Sequence, residues 1–121
     1  MINKILASLD LNDEGIDIYK RLLDGGATTA GQLAKLTGLA RATVYDHLAK
    51  LVDKGLVRQS QYRGVKNYSA EQVKKISKLL DQKAQHLNQI QKEFDKILPL
   101  LESKIAKHFI IPRFQLFEGP E

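Results

Sequence analysis

The sequence has no cysteine and no tryptophan, and only three prolines in 121 residues. Without cysteine there is no disulfide framework and no thiolate metal site, and the chain suits a reducing cytoplasm. No apolar run approaches the roughly 18 residues of a membrane-spanning helix, so no membrane partner is expected. The opening residues, MINKILASLDLNDEG, lack both the apolar centre of a signal peptide and a small-residue cleavage site. Reactive groups are sparse as well. His47, His86 and His108 stand far apart, and no glycine-rich phosphate loop, zinc-ligand spacing or nucleophile with an evident base is found. Catalytic residues, a metal and a cofactor are therefore not expected.

The length suits one compact domain plus an extension, and 43% hydrophobic residues are enough for a core. The net charge is +5 and the pI about 9.5, which favours an anionic partner without naming it. Residues 41–67 hold six Lys or Arg against two Asp, which is +4 of that +5. Charge alone also fits a solvated basic face, so the arrangement of these residues has to decide.

Ile2, Ile5, Leu6 and Leu9 recur at helical spacing, giving a short helix over residues 2–9. Asn12 reads as an N-cap, with Asp13 and Glu14 in the first turn where the helix dipole favours acids. Ile16, Tyr19, Leu22 and Leu23 form one apolar stripe, and Gly25-Gly26 ends the helix. Tyr19 on that stripe reads as a core aromatic. Thr29 opens the next helix, with Gln32 completing a capping box. Leu33, Ala34 and Leu36 supply its buried side.

Gly38 falls where the chain must turn sharply, and Val44, Leu48 and Leu51 continue an apolar face beyond it. The spacing of Ala34, Gly38 and Val44 is that of a helix-turn-helix, with a second helix over about 41–54. With that face inward, Arg41, Thr43, His47 and Lys50 are placed outward. Arg41 and Thr43 lie in the first turn, the part of a recognition helix that enters the major groove. Arg41 suits a bidentate contact to guanine, and Thr43 a thymine methyl or a phosphate. His47 suits either task or is simply an exposed imidazole. Tyr45 flanks the core stripe and can offer its hydroxyl to a phosphate. Asp46 is unfavourable near DNA and is expected to pair with Lys50.

Gly55 follows the helix, and two β-capable runs, from Leu56 and to Tyr68, flank Arg63-Gly64. We read them as a hairpin with Arg63 at its tip and Lys66 on its return strand, placed to touch phosphates or a minor groove. Such charges can also serve only to keep a strand edge soluble. The fold class expected is thus mainly α with a small β-hairpin: a winged helix-turn-helix plus a long C-terminal dimerisation helix. The candidate contacts to double-stranded DNA are Thr29, Arg41, Thr43, Tyr45, His47, Lys50, Arg63 and Lys66.

Three stretches carry a resemblance: LDLNDEGIDIYKRLL, TTAGQLAKLTGLARATVYDHLAKLVDKGLV and RGVKNYSA. Together they resemble the N-terminal domain of TrmB-type transcriptional regulators, over residues 6–72 and in kind over the helix that follows. Tyr19 matches the family's tyrosine, and Arg41-Ala42-Thr43-Val44-Tyr45-Asp46 aligns with its basic-small-Lys-Val-Tyr-Glu run. The resemblance implies a winged helix-turn-helix that binds operator DNA as a dimer. It also implies a small-molecule effector, commonly a sugar, sensed only through a C-terminal domain absent from this chain. Ala40 stands where the family often has proline, Ala42 and Thr43 replace polar or basic residues, and Gly15 replaces a helix-favouring one. Base preference therefore does not carry over.

Ser69 and Gln72 read as another capping box, opening helical sequence that runs to about His108. Val73, Leu80, Leu87, Phe94 and Leu101 repeat every seven residues, and Ile76, Lys83, Ile90, Ile97 and Lys104 follow three behind. This is an a/d register, and its partner is expected to be a second copy rather than the chain's own domain. The candidate homodimer interface is Val73, Ile76, Leu80, Leu87, Ile90, Phe94, Ile97 and Leu101. Pro99 interrupts the pattern, so a kink or break is expected near Leu98. Residues 110–117 resemble a strand, and the chain is expected to be an N-terminal fragment or a short form lacking its sensor. The expected organisation is a DNA-binding domain at 1–69, a coiled-coil helix at 70–108 and a tail at 109–121. A winged-helix adaptor that binds protein instead of DNA is the alternative.

Overall fold

The computed structural model describes residues 1–110. Its elements are α1 (Ile2–Ala7), α2 (Asp13–Gly25), α3 (Ala30–Thr37), α4 (Arg41–Asp53), β1 (Val57–Tyr62), β2 (Val65–Ala70) and α5 (Lys74–Ile110). The architecture is the mainly helical winged helix-turn-helix with a hairpin and a long C-terminal helix that the sequence predicts. By internal contacts the chain divides after Lys83, within the first third of α5. Among the described residues no helix is long and apolar enough to cross a membrane.

Local chemistry sets the boundaries of the first unit, Met1–Lys83. The Asn12 side chain accepts from Gly15 N–H at 2.9 Å, capping α2. Thr29 Oγ1 accepts from Gln32 N–H at 3.2 Å, capping α3. Gly38 closes α3 in the left-handed region (φ 78°) and donates its N–H to Ala34 O at 2.9 Å. A side chain there would be strained, which is why this sharp turn falls on glycine. Thr37 secures the same turn, donating its hydroxyl to Leu33 O at 2.7 Å and accepting from Leu39 N–H at 3.2 Å. The exit of α4 is equally defined: Gly55 N–H donates to Val52 O and Leu56 N–H to Leu51 O, the paired bonds of a Schellman motif.

The core joins α1, α2, α3, α4 and the base of the hairpin through Leu6, Ile18, Tyr19, Leu22, Leu33, Val44, Leu48, Leu51 and Leu56, all nearly or fully buried. Each such aliphatic side chain stabilises the fold by about 1.5–3 kcal/mol on burial. Three positions depart from the predicted stripes. Ile18 is buried although it lies off the stripe read for α2, while Leu23 and Leu36 are exposed at 39% and 59%. Helix α2 touches both α3 and α4 and so buries a broader arc than one stripe.

The hairpin is antiparallel, in register from Val57 opposite Ala70 to Tyr62 opposite Val65, with Arg63-Gly64 as its two-residue turn. Both turn residues have positive φ (52° and 77°), which matches the twist of the strands. Arg63 accepts that conformation without a glycine's freedom. Thr28 adds an isolated antiparallel bridge: its N–H donates to Tyr68 O at 2.9 Å, and Tyr68 N–H to Thr28 O at 2.8 Å. This bridge fixes the wing beside the start of α3.

The capping box read at Ser69 and Gln72 does not form. Ser69 is paired with Arg58 in the hairpin, Glu71 N–H donates to Leu56 O at 2.9 Å, and α5 begins only at Lys74. Cross-strand pairing takes the backbone that the cap would have used. Val73 therefore precedes the helix, and Ile76 and Leu79 pack on the winged domain's own core. That corrects the predicted intermolecular interface at Ile76, whereas Val73 is exposed. Lys83 Nζ lies 3.4 Å from the Asp10 carboxylate.

The second unit, from Ala84, is one helix in the described residues. It passes through Pro99 to Ile110, so of the kink or break expected near Leu98 the break is absent. The strand predicted over 110–117 lies, apart from Ile110, outside the described residues.

Candidate nucleic-acid interface

Helix α4 buries Val44, His47, Leu48 and Leu51 and turns Arg41, Ala42, Tyr45, Asp46, Ala49 and Lys50 to solvent. The predicted outward set needs correcting at two places. Thr43 is half-buried, and His47 is only 7% exposed. The reason is periodicity: His47 is three residues after Val44 and four before Leu51, on the same helical face. Its burial is supported by a partner, since Nε2 donates to Glu14 Oε1 at 2.9 Å, tying α4 to the first turn of α2. Gly15 is buried there for the same reason. A Cβ on Gly15 would stand 3.5 Å from His47 Nδ1 and 3.4 Å from Asn12 Oδ1. Any side chain larger than a methyl would push against the contact.

Four of the predicted residues converge. Thr29, Arg41, Tyr45 and Lys66 line one groove of about 430 Å³ together with Ala30, Gly31, Gly64 and Val65. Its walls are the N-terminal end of α3, the exposed side of α4 and the wing just past its tip. The groove lining contains two cations and no carboxylate. The α3 N-terminus adds the positive end of a helix dipole. Thr29 satisfies only the Gln32 N–H by its side chain, so other first-turn donors of α3 stay available. Helix α4 has no side-chain cap at Ala40, which leaves its first N–H groups uncommitted too.

The remaining candidates are distributed around this groove. Arg63 is exposed at the wing tip, with its guanidinium 5.2 Å from the centroid of the Tyr62 ring. Lys50 lines a separate small hollow with Asp10, Asn12, Gly15 and His47. Asp46, expected to pair with Lys50, forms no ion pair among the described residues. Tyr68, at the foot of the wing, has its phenol pushed above the usual range by burial and then by the neighbouring Tyr45. No cluster of metal-ligating side chains occurs among the described residues. Gly31, Gly64 and Val65 were not foreseen as groove residues. Glycine within helix α3 was the one available signal, because it weakens a helix without an evident local reason.

Residues 6–74 match the model of a family described as sugar-specific transcriptional regulator TrmB, which is more than half of the chain. The chain belongs to the TrmB family. It is accordingly a winged-helix transcriptional regulator, a class that acts on DNA. A comparison with curated protein sequences finds no significant match. Several solved structures share the fold of this TrmB-family chain. A possible transcriptional regulator from Methanosarcina mazei Go1 is 22% identical with a TM-score of 0.60, covering 77% of this chain and 88% of its own. A protein of Sulfolobus tokodaii, also 22% identical, superposes with a TM-score of 0.63 over 73% of this chain and 91% of its own. A MarR family protein from Bacillus stearothermophilus is 20% identical with a TM-score of 0.53 over 87% of this chain and 77% of its own.

Proposed function

We propose that this TrmB-family chain binds specific sites in double-stranded DNA as a cytoplasmic homodimer, with α4 in the major groove and the wing on the backbone or minor groove. The observation that carries the proposal is the acid-free groove in which Arg41, Lys66, Thr29 and Tyr45 meet beside the exposed first turn of α4. In this arrangement Arg41 reads a guanine edge. Thr29, Tyr45, Lys66 and Arg63 hold phosphates, which fix register without reading sequence. Lys50 serves a phosphate farther along the helix, and Thr43 contributes only its exposed part. His47 leaves the contact set, because its ring is committed to Glu14.

The two copies associate through Leu87, Ile90, Phe94, Ile97 and Leu101 on α5, with Leu80 at the start of the seam. These are exposed at 36–65% in the single chain. The a/d spacing that aligns them suits a helical partner of the same sequence.

Duplex affinity measured against salt tests the proposal. Each phosphate neutralised should add about 0.9 to the slope of log K against log salt. Lys66→Ala and Arg63→Ala should each lower that slope by about one unit and weaken all sequences alike. Selected oligonucleotides should carry half-sites about 34–36 Å apart, one helical turn. No duplex binding even at low salt would refute the proposal and leave the winged fold to the adaptor role.

A further inference from the structure

Arg41 and Gly31 lie ten positions apart, on the two helices of the helix-turn-helix, and they meet. A Cβ built on Gly31 would overlap Nη2 of Arg41, and would lie 3.4 Å from its Cζ and 3.6 Å from its Nε. The Nη2 end of the guanidinium thus occupies the space that the missing side chain leaves on α3. No carboxylate holds it, because Arg41 has no ion pair among the described residues. The bare glycine surface is what gives the side chain its place. Both residues line the same groove as Lys66 and Gly64.

We infer that Gly31 is a positioning residue: it seats the Arg41 guanidinium over α3 and so sets the direction from which Arg41 meets the DNA. This rests on the DNA-binding reading proposed above. A free arginine has many rotamers, and a bidentate contact to one base demands a single orientation of its planar fork. A seat that limits the choices before binding lowers the ordering cost at binding. Adding one methyl removes the seat. The clash falls on the far end of a flexible chain and not on backbone, so Arg41 swings away while α3 itself is unharmed. Alanine is also a better helix residue than glycine.

The test is a double-mutant cycle on duplex binding with the full chain, using an oligonucleotide selected by the unmodified protein. Gly31→Ala should keep the thermal midpoint at or above that of the parent and weaken binding about tenfold, within the range of one lost bidentate contact. It should also relax preference at the base position that Arg41→Ala relaxes. In the Arg41→Ala background, Gly31→Ala should have no further effect on affinity. Parental affinity and preference in Gly31→Ala would overturn the inference. So would an equal loss with and without Arg41, which would mean that Gly31 meets the DNA directly. Failure of the unmodified protein to bind any duplex is a different outcome, and it would instead overturn the DNA-binding proposal beneath.

Discussion

Ile90→Glu should convert the proposed dimer into monomers. Ile90 lies at a d position of α5 and is 46% exposed in the single chain, so about half of its side chain remains to be buried by a partner. Complete burial of an isoleucine is worth about 1.5–3 kcal/mol, and the remaining half about 1 kcal/mol. A symmetric dimer carries each substitution twice, so the lost burial approaches ~2 kcal/mol. Two carboxylates brought against an apolar seam add a desolvation cost of several kcal/mol if they stay charged. A total of at least ~4 kcal/mol weakens association about a thousandfold. Sedimentation velocity over a concentration series reads this directly.

The comparison that gives the result meaning is Gln85→Glu, five residues along from Leu80 and away from the a/d line, which introduces the same charge without touching the seam. It should sediment as the parent does. Association unchanged in Ile90→Glu would place the dimer contact elsewhere, and a parent that stays monomeric at all concentrations would refute the seam altogether. Circular dichroism of the variant should show the parent's helix content, so that loss of association is not confused with loss of α5.

Three further outcomes follow from the structure. The Tyr19 hydroxyl is buried with no hydrogen-bond partner among the described residues, so Tyr19→Phe should raise stability by about 1 kcal/mol, since an unsatisfied buried hydroxyl costs about 1–3 kcal/mol; a lower denaturant midpoint would mean that the hydroxyl is satisfied. Pro99 sits inside α5 and denies a donor to the carbonyl four residues back, so Pro99→Ala should stabilise this helix by up to about 3 kcal/mol, read as increased amide protection around Asp95. Glu71 accepts from Arg58 at 3.1 and 3.3 Å, and that bond holds its carboxyl below the ordinary range, with the Arg58 and Lys75 charges assisting. A depressed carboxylate pKa contributes stability above the unfolded-state value and loses it as pH falls through the folded-state value. The parent should therefore lose more stability on acidification than Glu71→Gln, as read from denaturant midpoints through the acid range; parallel profiles would show that the pair contributes nothing.

What was legible in the sequence was what local chemistry decides. Asn12, Thr29 and Gly38 each carry their own reason for ending or starting a helix, and all three perform that role. The Arg63-Gly64 turn was readable because two β-capable runs flank it. Apart from the break expected at Pro99, the failures are long-range. Ser69 and Gln72 carry a sound capping pattern, yet Ser69 pairs with Arg58 eleven residues earlier, and the strand prevails. His47 has the spacing of a buried residue, but its polar identity suggested the surface until Glu14, 33 positions away, supplied a partner. Ile76 satisfies the heptad pattern and the winged domain's core equally well, and only the fold shows which it serves. Gly31 carries no local sign of a role, because its use lies on another helix.

These corrections alter how the proposed regulator must obtain its affinity. With His47 inward, the exposed face of α4 presents Ala42 and Ala49, whose methyl groups can meet little beyond a thymine methyl, and Asp46, which repels phosphate. Base reading then falls chiefly on Arg41, and a single bidentate contact discriminates by only about 1–3 kcal/mol. One copy on one half-site would therefore be weakly selective. Two copies joined along α5 change the arithmetic, because binding of the first raises the effective concentration of the second and multiplies the discrimination of the two half-sites. The seam is then as much a determinant of specificity as the recognition helix. Ile90→Glu should accordingly bind duplex with a salt slope about half that of the parent, since half of the phosphate contacts are made by each copy, and should lose most of its preference for the selected site over random DNA. A monomer that kept the parent's selectivity would show that α4 reads more of the base sequence than Arg41 and its neighbours can supply.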